Sequence, residues 1–157
     1  MLEKQGFTGF VTFDELRSSH FELVPTEGGV YVVLRETSNE PSFLPIGRGG
    51  HFKGKNPNLE VDIPQSRWVP ECHIIYIGKA DKRGQKRHLR KRLQEFAHFG
   101  SGRAVGDWGG RLIWQLTDSA NLLVCWKTDA APAVLESEMI AAFQTSHGRL
   151  PYANLRR

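Results

Sequence analysis

The residues of this chain best suited to chemistry are two tyrosines that each lie beside a glycine, an arginine in a basic segment and a glutamate in an apolar helical arc. Tyr31 follows Gly29-Val30, and Tyr76 precedes Ile77-Gly78-Lys79. Side chains alternate between the faces of a strand, so Gly29, Tyr31 and Val33 share one face, and Tyr76 and Gly78 share one face of a second strand. If those strands pair, two phenols meet across the sheet, and the glycines let another backbone or a phosphate come close. Two core aromatics with satisfied hydroxyls are the plainer alternative.

On a helical wheel of about 100° per residue, Leu89, Leu93 and Phe96 form an apolar stripe, and Arg92 lies at its edge. An arginine there can reach over a sheet, where its fork of donors suits a phosphate; a salt bridge is the alternative. In the last helix Leu135, Met139, Ile140, Ala142 and Phe143 form an apolar arc that includes Glu136 and leaves Glu138 outside. A carboxylate within such an arc needs a partner, because burying an unpaired charge is costly. Periodicity leaves two partners open, an arginine or a Mg²⁺ ion that keeps several waters and takes substrate phosphate oxygens.

The elements that must position these side chains are legible from local signals. Residues 7–25 contain Thr12, which can cap a short helix starting at Phe13-Asp14-Glu15-Leu16. Gly28-Gly29 precedes the strand Val30–Leu34, and a second strand spans about 73–79. A basic helix is predicted from about Gln85 to Ala97, then a glycine-rich connection over 100–110. Strands at about 111–117 and 122–127 are joined by an expected hairpin turn at Asp118–Asn121. Pro132 suits the first turn of a helix running to Thr145. Between Glu36 and Cys72 lies a long irregular stretch with five of the eight prolines, read as an insertion. Its Arg48, His51, Lys53, Lys55 and Arg67 are candidates to touch a substrate. Gly49–Asn56 imitates the spacing of a phosphate-binding loop, but Asn56 stands where a Ser or Thr should meet magnesium, so it is discounted.

With 157 residues the chain suits one domain with a real core. Its net charge of +4 is modest, yet a third of all Lys and Arg, seven of 21, falls between Lys82 and Arg92 without an acidic residue. Such clustering concentrates polyanions, although a solvated helix face would look the same. No apolar run is long enough to cross a bilayer. The two cysteines, Cys72 and Cys125, have neither metal-ligand nor redox spacing. Without the layout of a secretory signal, a reducing cytoplasmic compartment is the default expectation.

Taken in order, Gly29-Val30-Tyr31, Tyr76-Ile77-Gly78-Lys79, Leu89-Arg90-Lys91-Arg92-Leu93, Leu135-Glu136-Ser137-Glu138-Met139-Ile140 and Pro151-Tyr152-Ala153-Asn154 resemble the motifs of the GIY-YIG nucleases. The resemblance implies an α+β fold, an α/β sandwich with a small mixed, largely antiparallel sheet flanked by helices. It implies one domain over 1–157, with 1–27 as an N-terminal appendage and 28–155 as the core interrupted at 36–72. It further implies a DNA endonuclease in which Tyr31, Tyr76, Lys79, Arg92, Glu136 and Asn154 form the site. Glu136 would hold Mg²⁺, or Mn²⁺ in its place, against the scissile phosphate, and Arg92 would neutralise the opposite side. A tyrosinate, Tyr31 ahead of Tyr76, would take the proton from water with Lys79 lowering its pKa, and Asn154 would orient the phosphate or Tyr31.

Duplex backbone would lie on Lys82, Arg83, Lys86, Arg87, Arg90, Lys91, Arg103 and Arg111. A monomer with one site would nick, and a double-strand break would require a dimer or two visits. Three departures accompany the resemblance: the insertion between the tyrosine motifs, the added Asp81-Lys82-Arg83-Gly84 before the helix, and Phe96 where many members carry Tyr or His. Phe96 keeps open a nucleic-acid-binding module that retains the fold without cutting.

Overall fold

The computed structural model describes residues 2–44, 62–81, 88–100 and 111–154, with backbone alone at 62, 98–100 and 111. Lys82, Arg83, Lys86, Arg87 and Arg103 lie outside the described residues, as do Arg48, His51, Lys53, Lys55 and all of Gly49–Asn56. The first strand, β1 (Thr8–Val11), leads into α1 (Phe13–Ser18). Then come β2 (Gly29–Leu34), α2 (Asp62–Arg67), β3 (Ile74–Ala80) and α3 (Leu89–Gly100), followed by β4 (Leu123–Thr128) and α4 (Pro132–His147).

The four strands form one sheet in the order β1-β4-β2-β3. Among the described residues all three pairings are antiparallel, in keeping with the expected small, largely antiparallel sheet. β2 is central and reads Gly-Val-Tyr-Val-Val-Leu, β-branched and aromatic in the manner of a strand covered on both faces. Its residues divide by parity. Tyr31 and Val33 join the core cluster of Leu89, Leu93 and Phe96 from α3, whereas Val30 and Val32 join Ile77, Cys125 and Ile140 from the α4 side. The molecule is therefore a helix–sheet–helix sandwich, α+β in class.

Local chemistry accounts for the helix starts. The Thr12 side chain accepts a hydrogen bond from Glu15 N, and the Glu15 carboxylate accepts one from Thr12 N, so α1 opens on the expected cap. Within the described residues α3 opens at Leu89, where Nδ1 of His88 accepts from Lys91 N at 3.1 Å. Gly148, at φ +75°, ends α4 in the left-handed conformation that glycine tolerates best.

Two expectations about elements are corrected. Residues 111–117 do not form a strand: Arg111–Gln115 is a 3₁₀ turn, and a second 3₁₀ turn, Ser119–Asn121, replaces the hairpin. The place beside β4 that a hairpin partner would need is filled by β1, paired through Thr8↔Trp126 and Gly9↔Cys125. Leu112 through Leu116 are buried without alternation, so this segment fills the core as a plug rather than as one face of a strand. β1 also makes the N-terminal segment part of the sheet. Arg17 strengthens that attachment by donating to Ala97 O on α3 at 2.8 Å.

The strand pairing leaves little room at Gly29, where an added Cβ would run into the carbonyl oxygen of Lys127 and lie 2.8 Å from Leu89 Cδ1. Backbone cannot swing aside as a side chain can, so Gly29→Ala should cost about 3 kcal/mol or more in urea unfolding. Gly148→Ala, with open space around it, should cost about 1 kcal/mol for its positive φ alone. Equal losses at the two positions would contradict the packing described for Gly29.

Candidate active site

Register decides how the tyrosines meet. Across β2 and β3, Tyr31 pairs with Gly78 and Val33 with Tyr76, so the two phenols are diagonal neighbours with ring centroids 6.0 Å apart. The Tyr31 ring lies directly over Gly78, where an added Cβ would sit 2.5 Å from Tyr31 Cζ and 2.6 Å from Oη. Phe96 packs against both rings, at 6.3 and 5.8 Å, and also against Trp114 and Phe13. Tyr31 has no exposed surface and Tyr76 keeps 8% of its own.

Of the charged candidates, Lys79 lies near the C-terminal end of β3. Parity puts Lys79 on the same face as Ile77, towards α4, and its Nζ lies 3.2 Å from Asp81 Oδ2. Glu136 is half-buried on α4, on the arc that buries Ile140 and Phe143, while Glu138 is exposed as periodicity required. Burial pushes the Glu136 carboxyl above its ordinary range; Lys79 and Arg92 draw it down, and Asp81 pushes it further up. Lys79, Asp81, Arg92 and Glu136 therefore share one electrostatic neighbourhood. Arg92 belongs to the helix that packs on the tyrosine face and Glu136 to the helix on the other, yet Arg92 still acts electrostatically on Glu136.

Asn154 has a different place from the one its neighbours suggested. It is buried, its Nδ2 donates to Ile77 O at 2.9 Å, and its Oδ1 accepts from Ile77 N at 3.0 Å. The amide thus pairs with the outer edge of β3. Among the residues expected to hold a nucleic-acid backbone, Arg90 donates to the carbonyls of Val24 and Glu22 and so fastens α3 to the N-terminal segment. Lys91 is exposed, and Arg111 is described by its backbone only.

Sequence reasoning passed over Asp81, although its position two residues after Lys79 gives it the same strand parity, a signal that was present. The cysteines have no part in this chemistry. Burial, with a contribution from Glu3, pushes the Cys125 thiol up to about 12, and burial also raises Cys72.

The donor set is compatible with a hard dication of low protein coordination. Among the described residues no group of three or more His, Cys, Asp or Glu side chains is disposed to enclose a metal. Mg²⁺ nevertheless needs only one or two carboxylates when waters and phosphate oxygens complete its shell, and Glu136 is a carboxylate whose buried charge lacks full compensation. Among the described residues no helix is long and apolar enough to cross a membrane. Comparison with protein-family models, with curated proteins and with solved structures gives no match.

The position of Glu136 has a consequence for stability. Its raised pKa means that the neutral form is favoured in the folded chain, so this contribution is complete below its ordinary value of 4.5 and is lost as pH rises through the folded-state pKa. Without divalent metal, Glu136→Gln should melt above the wild type at about pH 7.5, and the gain should vanish near pH 4. A difference unchanged between the two pH values would show that burial imposes no penalty on the carboxylate.

Proposed function

We propose that this chain is a metal-dependent DNA endonuclease of the GIY-YIG type. The observation that carries the proposal is that a half-buried Glu136 is within the electrostatic influence of Lys79 and Arg92, with Lys79 on the strand that holds Tyr76 and Gly78 against Tyr31. Two cations with one half-buried carboxylate suit a phosphodiester: the guanidinium and ammonium bind its oxygens, and the carboxylate is the natural seat for Mg²⁺. Bound there, the metal would supply Lewis-acid neutralisation of the phosphoryl charge.

Proton transfer falls to a phenol. Both phenols are buried, Tyr76 at 8% exposure and Tyr31 at none, so the proton of the attacking water is assigned to Tyr76 Oη, with Tyr31 packed above Gly78. This reverses the order expected for the two. A phenol's ordinary pKa lies near 10, above neutral pH, so positive charge must stabilise the tyrosinate as the proton leaves the water. Duplex DNA is the proposed partner, with Lys91 on the exposed side of α3 as one of the described cations that face solvent.

A second function, nucleic-acid binding without cleavage, is favoured by Phe96. It is buried in the aromatic cluster and supplies no polar group to the site.

Supercoiled plasmid and linear duplex, incubated with Mg²⁺ or Mn²⁺ and then with chelator, separate the two. Nicking should require the metal and fall about 10²–10³-fold in Arg92→Ala and in Glu136→Ala. Nicking that persists in both variants would remove the assigned site. Salt-sensitive binding without cutting in either metal would establish the binding module instead.

A further inference from the structure

β3 lies at one edge of the sheet and carries Tyr76, Gly78 and Lys79. An edge strand presents unpaired N–H and C=O groups, and its position is held only from one side unless something covers it. Here the cover is the C-terminal segment: Ala153 N donates to Ile75 O at 2.8 Å, and Asn154 bonds both backbone groups of Ile77. That segment has no regular secondary structure of its own. It is held in turn by the insertion. Arg67, in the last turn of α2, donates from Nε to Tyr152 O and from Nη2 to Asn154 O. In the reverse direction Arg149 donates to the carbonyls of Trp68 and Ser66. Between the two arginines the Trp68 ring meets Tyr152 edge-on, 5.2 Å between centroids, and Phe43 packs against both.

We infer that Arg67 is a positioning residue of the proposed active site: it locks the insertion onto the C-terminal segment and, through Asn154, sets the backbone of Tyr76–Gly78. This inference rests on the endonuclease function for its catalytic consequence and on the hydrogen-bond chain alone for its structural one. Each link is specific. A guanidinium offers two donors in a fixed fork to two carbonyls two residues apart, which an ammonium cannot match. The Asn154 amide bonds one residue of β3 at both its backbone groups, so displacement of Asn154 leaves Ile77 N and O unsatisfied at a buried position. Ile77 lies between Tyr76 and Gly78, so movement there shifts the phenol relative to Arg92. Reacting groups displaced by about 1 Å lose on the order of 10²-fold in rate. Arg67 thereby serves the site from the insertion, through the C-terminal segment.

Amide hydrogen exchange and cleavage kinetics on Arg67→Ala and Arg67→Lys test the inference. Exchange at Ile77 and Ala153 should quicken about 10-fold or more in Arg67→Ala, while amides of the central β2–β4 ladder keep their wild-type rates. Plasmid-nicking kcat should fall about 10–100-fold with KM for DNA held within about twofold, and Arg67→Lys should recover part of the loss. Unchanged exchange at Ile77, or an increase spread evenly over the sheet, would overturn the inference, as would selective exchange with unaltered kcat. If Arg67→Ala does not fold, the same measurements on Arg67→Lys decide. If the wild type does not cleave, the endonuclease function fails separately, and exchange at Ile77 still decides whether Arg67 sets the strand.

Discussion

The contact between the Tyr31 ring and the bare backbone at Gly78 is the constraint on which the site depends. Antiparallel pairing of β2 with β3 puts the two residues opposite one another, and the absence of a side chain at Gly78 leaves the space that the Tyr31 ring occupies. A slip of one residue would turn Tyr76 and Gly78 to the α4 face and Lys79 to the tyrosine face, dissolving both the aromatic cluster and the charge cluster at once. The insertion between the strands leaves the pairing intact because closing a longer loop costs entropy only logarithmically in its length, while the ladder from Gly29↔Ala80 to Leu34↔Ile74 remains.

The sheet separates two kinds of environment. On one face Phe13, Tyr31, Tyr76, Phe96 and Trp114 form a continuous aromatic core; on the other, α4 covers Val30, Val32 and Ile77. Lys79, Asp81 and Arg92 act electrostatically on Glu136, and Lys79 pairs with Asp81. A half-buried carboxylate held above its ordinary pKa despite two cations nearby opposes folding, and packing gives no reason for its presence on that arc. A site that must gather a metal and a phosphate gives such a reason, since natural sequences break local consistency chiefly at functional positions.

Much of this arrangement was legible because it depends on local signals. β2 and β3 follow from β-branched runs bounded by glycines, α4 from the 3.6-residue period with Pro132 at its start, and α1 from the Thr12–Glu15 cap. Parity predicted that Tyr31 shares a face with Gly29 and Val33, and Tyr76 with Gly78, while the register that brings the phenols together comes from the pairing itself. Residues 111–117 misled because a short apolar run suits a strand and a buried 3₁₀ turn equally, and only the presence of β1 beside β4 separates them. Arg67, Asn154 and Arg90 were opaque for a different reason. Their partners are backbone carbonyls and amides 66 to 87 residues away, and no periodicity reports a contact of that range.

A crystal of the protein with a short duplex and Mn²⁺, read by anomalous scattering, bears most directly on whether the charge cluster is a phosphodiesterase centre. The metal should appear on the Glu136 carboxylate, with a backbone phosphate between it and the Arg92 guanidinium and the Tyr76 hydroxyl facing that phosphate. Ordered DNA bound elsewhere on the surface, with Glu136 free of metal, would contradict it.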